Sequence, residues 1–303
     1  MEHLRVFDGP RLRDPVAIAA FGGWNDASEV ATFAARFLVQ QWGARKMAEI
    51  DPEEFYVFTE TRPHVHIAGR FQRQIEWPAN EFYYHVDHEG RRDFVVIIGV
   101  EPQLKWRTFA TTVLEYCRQI GVTTLVTLGG LIADVPHTVP VRLSGTSSSP
   151  KTSQRLRQLG VEPTRYEGPT GIVGVLNSVF AREGFAAASI WGTVPDYLSA
   201  TPNIKVSLAI LDRLNSLLDL KANLSELRLL EGQFDRQVSE ALAENPEVQA
   251  YVEELEERER SGRKGQEGGR PAPEPLPSSD ALIRELEDFL RRRQRGQGGG
   301  FSS

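Results

Sequence analysis

The chain has little of what builds soft metal sites or disulfides: one cysteine, two methionines and six histidines in 303 residues. A single thiol excludes a disulfide framework and a cysteine-based zinc site. Cys117 sits in an apolar helical pattern, which predicts a small buried hydrophobe rather than a nucleophile. No apolar run approaches the roughly 20 residues of a membrane span. The opening Met1-Glu2-His3-Leu4-Arg5 lacks the apolar stretch of a signal peptide. A cytoplasmic protein with no membrane partner is the expectation. Lysine is also scarce, six of 35 basic residues. With abundant alanine and glycine, this arginine bias fits a high-GC bacterial genome. A net charge of −6 argues against a general nucleic-acid binder. There is no Gly-x-Ser-x-Gly elbow, no Gly-x-Gly-x-x-Gly turn and no Walker loop. No cofactor is expected.

What is present is a series of glycine-rich junctions beside short apolar runs. Phe21-Gly22-Gly23-Trp24-Asn25-Asp26 is the first and Leu128-Gly129-Gly130-Leu131 the second. The third, Gly168-Pro169-Thr170-Gly171-Ile172-Val173-Gly174, runs straight into a helix start, where Thr170 offers a capping hydroxyl. Glycine-rich strand exits gathered at one sheet edge build ligand crevices in α/β folds. They serve equally to pack helices closely on strands.

Hydrophobic periodicity predicts strands at 16–21, 45–50, 55–61, 94–99, 123–128 and 186–191. Short antiparallel strands are expected within 64–88. Helices are predicted at 27–41, 107–120, 152–159, 171–183 and 202–218. Asp26 reads as an N-cap, with Glu29 completing a capping box, and Thr201-Pro202 opens the last of these helices. The alternation implies an open, largely parallel α/β sheet with helices on both faces, occupying residues 1–220. Residues 221–260 read as an amphipathic helical arm, with Leu227, Leu230, Phe234, Val238 and Leu242 on one stripe. After Asn245-Pro246 the stripe continues through Val248, Val252 and Leu255. The arm packs on its own domain or on another subunit. Residues 261–279 read as a flexible linker. Residues 280–303 read as a short terminal helix and tail, with Leu282, Leu286, Phe289 and Leu290 on one face as a docking peptide.

His64-x-His66 and His85-x-x-His88 could meet around a metal, but the spacing matches no metal motif and no metal site is assigned. His137 lies in a proline-bracketed loop past a glycine-rich strand exit, and with Asp134 it could form a base and its orienter. Gly22-Gly23 could cradle a phosphate, but the Asp26 carboxylate would compete for the same positive helix end. The candidate ligand crevice comprises Gly22, Gly23, Trp24, Asn25, Asp26, Glu101, Trp106, Gly129, Gly130, His137, Thr138, Gly168, Thr170 and Gly171. Its acidic and aromatic lining favours polar neutral or cationic groups, or another protein's backbone. No catalytic residue is assigned.

Five motifs stand in order: Phe21-Gly22-Gly23-Trp24-Asn25-Asp26-Ala27; Gly99-x-Glu101-Pro102 with Trp106; Gly129-Gly130 with Pro136-His137-Thr138; Gly168-Pro169-Thr170-Gly171-Ile172; and Trp191-x-x-Val194-Pro195-x-Tyr197. Together, over about residues 15–220, they resemble the proteasome-assembly-chaperone family in its actinobacterial and archaeal form. The resemblance implies a three-layer α/β sandwich like that of purine nucleoside phosphorylases, around a mixed, mostly parallel sheet. It also implies a homo-oligomer, a trimer by analogy, with proteasome subunits or another protein as partner. The chain departs from the family's docking members at its end, Gly300-Phe301-Ser302-Ser303, which lacks their penultimate tyrosine. The phosphate and base ligands of true phosphorylases are not recognisable either. Three readings therefore stand: a non-enzymatic assembly or chaperone-like protein; a binder or enzyme for a nucleoside-like or amine ligand at the crevice; or motifs that only maintain fold and subunit contacts.

Overall fold

The computed structural model describes residues 2–68, 72–90, 92–199 and 202–262. The predicted terminal helix, and all but the first two residues of the predicted linker, lie outside the described residues. In chain order the strands are β1 (Leu4–Val6), β2 (Val16–Gly22), β3 (Arg45–Ile50), β4 (His64–Ala68), β5 (Gln72–Glu76), β6 (Asn80–His85), β7 (Phe94–Val100), β8 (Thr124–Ala133), β9 (Leu143–Gly145), β10 (Val161–Pro163) and β11 (Ala186–Pro195). The helices are α1 (Val30–Trp42), α2 (Trp106–Gln119), α3 (Pro150–Gln158), α4 (Ile172–Arg182), α5 (Ile204–Leu218), α6 (Ser225–Ala243) and α7 (Pro246–Arg260).

Nine strands form one mixed sheet in the order β1-β3-β6-β7-β2-β8-β11-β9-β10. Its centre, β7-β2-β8-β11, is parallel throughout. These four strands are buried on both faces, which is why they read as near-continuous apolar runs. Alternation along β2 sends Val16, Ile18 and Ala20 to a core with α1, α3 and α5. Ala17, Ala19 and Phe21 face a second core with α2 and α4. Helices thus cover both faces, giving three layers. Each fully buried Ile, Leu or Phe in these cores contributes about 1.5–3 kcal/mol.

The predicted strand at 55–61 is not formed. Phe55 and Tyr56 are buried from a loop, and the Phe55 carbonyl accepts N–H bonds from Gln103 and Leu104 instead of joining a ladder. Apolar burial there needed no strand. The helix after β2 begins at Val30, later than expected, because a 3-10 turn (Ala27–Glu29) intervenes with Ser28 and Glu29 at positive φ. Glu29 closes no capping box. Asn203 caps α5 by accepting from the Val206 N–H at 3.2 Å; Thr201, expected to open this helix, lies outside the described residues. Strands β8 and β11 run four to five residues further than predicted, through the glycines that read as stops. Among the described residues no helix is long and apolar enough to cross a membrane.

Candidate functional site

The parallel strands all deliver their C-terminal ends to one rim. Strand β2 leaves the sheet at Gly22, and Gly23 turns the chain with φ +112°, a conformation that favours glycine. The turn sends neighbouring side chains opposite ways: Trp24 is 62% exposed and Asn25 fully buried. Asn25 Nδ2 donates to Glu101 Oε1 at 2.7 Å. The Ile172 N–H, first in α4, donates to the same oxygen at 2.7 Å. Glu101 and Gly130 return backbone N–H bonds to the carbonyls of Gly22 and Asn25, each 2.8 Å. A Cβ on Gly171 would lie 1.9 Å from Asn25 Oδ1, so only glycine fits there. Four distant segments, 22–26, 101, 130 and 171–172, are thereby tied into one knot.

In this knot Glu101 acts as a cap delivered from another strand. Helix α4 has Gly171 at its N-cap position and so no side-chain cap of its own. A carboxylate at that positive helix end is favourable. Thr170 does not supply the expected cap; its hydroxyl lies over Gly174. Asn25 Oδ1 has no hydrogen-bond partner. The Glu101 acceptor nevertheless fixes the amide, because reversing it would set two oxygens against each other.

Asp26 faces inward, not into a crevice. It accepts from the Ala31 N–H at 2.7 Å and from the Thr32 hydroxyl, capping α1 across the 3-10 turn. Burial raises its pKa, opposed by the Thr32 hydroxyl and the Ala31 and Thr32 N–H groups. Trp106 is half-buried and donates to the Pro102 carbonyl at 2.5 Å. Gly129 lies under the Trp191 ring, where a Cβ would come within 2.4 Å. Gly168 sits on an exposed loop in which the Tyr166 hydroxyl donates to the Pro169 carbonyl at 3.0 Å.

His137 and Thr138 belong to a second cluster. The Tyr197 hydroxyl lies 2.7 Å from both the His137 N–H and its Nδ1. The His137 carbonyl accepts from Lys205 Nζ at 2.8 Å, and Lys205 pairs with Asp235 of α6. Asp134 is therefore not the orienter of His137. Burial, and then Lys205, lower the His137 pKa. Thr138 donates to Glu256 of α7 at 2.6 Å, Tyr251 to Asp196 at 2.9 Å, and Arg142 bridges Glu259. Beneath these bonds Tyr197 and Leu198 pack on Phe234, Val238, Val248 and Val252. The cavity beside His137, about 20 Å³, has room for a single water. This cluster seats the arm on its own domain. Sequence reasoning quoted Tyr197 without giving it a role and missed Lys205, Asp196 and Tyr251, whose partners lie 30 to 68 residues away.

The histidine pairs find other uses. His66 Nε2 meets Glu76 at 2.7 Å, and His85 stacks on Trp42 with ring centroids 4.8 Å apart. Among the described residues no group of three His, Cys, Asp or Glu side chains is placed to hold a metal.

Against known proteins, the model of the PAC2 family matches residues 20–242. This chain belongs to the PAC2 family. Among solved structures it is similar to the proteasome-assembly chaperone homologue of Mycobacterium tuberculosis at 39% identity and a TM-score of 0.71, over 78% of this chain and 99% of that one. A PAC2 family protein of Streptomyces avermitilis matches at 40% identity and TM-score 0.71, over 79% of this chain and 100% of the other. At 20% identity, an archaeal proteasome activator of Pyrococcus furiosus shares the fold with TM-score 0.64, over 79% of this chain and 99% of its own. No curated protein matches the chain. The knot and the His137, Tyr197, Lys205 and Asp235 part of the arm seat fall inside the span matched by the PAC2 model, whereas Tyr251, Glu256 and Glu259 of α7 lie beyond it.

Proposed function

We propose that this PAC2 family protein is a non-enzymatic, homo-oligomeric assembly factor of the cytoplasm, with proteasome subunits as its partner class. One observation carries the reading: the polar groups of the candidate crevice are committed to holding the backbone. Glu101 caps α4 and Asn25, Asp26 caps α1, and His137 seats the arm. Trp24 is left displayed to solvent. A rigid rim with an exposed aromatic suits protein contact. The resemblance to proteasome-assembly chaperone homologues supplies the partner class. We divide the chain accordingly into a core, 1–220, an arm, 221–260, a linker, 261–279, and a terminal docking segment, 280–303.

The test is native electrophoresis of the organism's proteasome α subunits with and without the full chain. Faster or more complete ring formation, lost when the chain is cut before residue 261, is expected. Unchanged ring assembly and no co-migration would overturn the reading.

A second reading, an amine or nucleoside ligand, rests on the exposed Trp24 indole, whose neighbour Asn25 donates to Glu101. Thermal-shift screening of nucleosides and amines tests it. A hit lost in Trp24→Ala would favour it, and a blank screen would remove it.

A further inference from the structure

The β9–α3–β10 crossover closes the far edge of the sheet, where β9 runs antiparallel to β11 and parallel to β10. Gly145, at the end of β9, therefore lies toward the start of β11 and away from the rim. Between this edge and α3 is a cavity of about 200 Å³, ten times the 20 Å³ beside His137. That is below the roughly 300–1,000 Å³ of pockets for drug-sized ligands, which suits a small metabolite rather than a nucleotide. Ser153, Leu156 and Arg157 line it from α3 at i, i+3 and i+4, one face of the helix. Val161 and Pro163 line it from β10. Leu156 and Val161 are buried and make an apolar floor.

The polar lining is two-ended. Arg157 is exposed and, among the described residues, its guanidinium makes no hydrogen bond or ion pair, so all five of its N–H groups are open to an acceptor. Helix α3 carries Lys151, Arg155 and Arg157 and no acidic residue, in a chain whose net charge is −6. Glu162 alternates to the side of β10 opposite Val161 and Pro163. The hydroxyls are the reverse of Arg157. Ser153 donates to the Ser147 carbonyl at 3.2 Å, and Ser147 donates to the Ala187 carbonyl at 3.0 Å while accepting from the Ser149 N–H at 3.1 Å. Their protons are committed, and the lone pairs that remain accept. The first turn of α3 adds little, because Pro150 has no N–H and Ser149 already takes the Thr152 N–H.

We infer that this cavity binds a small hydroxylated organic anion, its charged group on Arg157 and its hydroxyl donating to Ser153. Planar, two-pronged arginine suits either a carboxylate or a phosphate. The site lies apart from the rim and does not depend on the assembly-factor reading. Isothermal titration of the full chain tests it, with L-malate, with succinate, which lacks malate's hydroxyl, and with glycerol 3-phosphate. Wild type, Arg157→Gln, Arg155→Gln and Ser153→Ala are compared. Arg155 does not line the cavity and reaches the Ser216 carbonyl, so its loss removes the same charge without touching the site. Thermal melts of the variants should match the wild type.

Malate or glycerol 3-phosphate is expected to bind, and which of them binds tighter distinguishes a carboxylate ligand from a phosphate one. Arg157→Gln should weaken binding at least about tenfold and Arg155→Gln less than about twofold, since a hydrogen bond to a charged group is worth more than a distant screened charge. Succinate should bind about fivefold more weakly than malate to the wild type, the worth of one neutral hydrogen bond, and equally with it to Ser153→Ala. No heat from any probe at millimolar concentration would overturn the inference. So would binding that Arg157→Gln leaves unchanged, or that Arg155→Gln weakens as much. Succinate binding as tightly as malate to the wild type would refute the hydroxyl's role.

Discussion

Replacing Glu101 probes the knot most directly. In Glu101→Ala the buried Nδ2 of Asn25 and the first N–H of α4 both lose their acceptor. An orphaned buried donor costs about 1–3 kcal/mol. Two of them predict a loss of about 2–6 kcal/mol, less whatever water can enter beside the half-buried Glu101. For a chain of 303 residues that corresponds to a fall in Tm of roughly 3–9 °C. Glu101→Gln keeps an acceptor in place and loses only the charge assistance of two bonds, about 1–2 kcal/mol. Urea unfolding followed by circular dichroism measures both, and a double-mutant cycle with Asn25→Ala should show a coupling of about 1–2 kcal/mol. The Ala variant must be clearly worse than the Gln variant. If Glu101→Ala unfolds within 0.5 kcal/mol of the wild type, about the scatter of a neutral surface change, the carboxylate is not an architectural cap. Glu101 would then return as a candidate ligand-binding residue at the rim.

Gly171→Ala would force a Cβ to 1.9 Å from Asn25 Oδ1 and should lower the unfolding midpoint sharply, whereas Gly9→Ala, with nothing within 4 Å, should leave it unchanged. Tyr251→Phe removes the donor to Asp196 at 2.9 Å and should loosen the arm by about 1 kcal/mol; faster proteolytic release of α7 by limited digestion checks this. His137 has its pKa lowered from 6.5 by burial and Lys205, so the unfolded chain binds a proton that the folded chain resists. Stability should therefore fall as pH drops through 6.5, and His137→Gln should flatten that slope in thermal melts. The remaining slope should include His85, whose pKa burial also lowers. Cys117 is fully buried and its thiol is pushed up to about 12, so a disulfide reagent should label it in urea and not in the native protein.

Much of the layering was legible because burial on both faces writes itself as apolar runs. Val16–Phe21 and Phe94–Gly99 could hardly have been anything but central strands. Helical stripes such as Phe109, Val113, Cys117 were equally plain. The misplaced elements share a cause: their local signal was overridden at a distance. The 55–61 segment looked like a strand because Phe55 and Tyr56 are apolar, yet its backbone found partners in the 103–104 loop. Asp26 and Glu29 have the spacing of a capping box, yet positive φ at Ser28 and Glu29 delays the helix and leaves only Asp26 as a cap. The glycine junctions were correctly gathered on one rim, but their partners were not readable. No pattern near residue 171 shows that its helix is capped by a residue seventy positions earlier.

The amino-acid order alone determined which segments are apolar on one side, which on both, and where the backbone demands glycine. It thereby set the layered α/β core and the amphipathic arm, since hydrophobic periodicity is a local property of the chain. Only the tertiary structure decided what the polar residues do. Glu101, Asp26 and His137 have the chemistry of catalysts and the surroundings of rivets. A carboxylate or imidazole takes its role from donors and charges within a few ångströms, and those neighbours are brought together by folding.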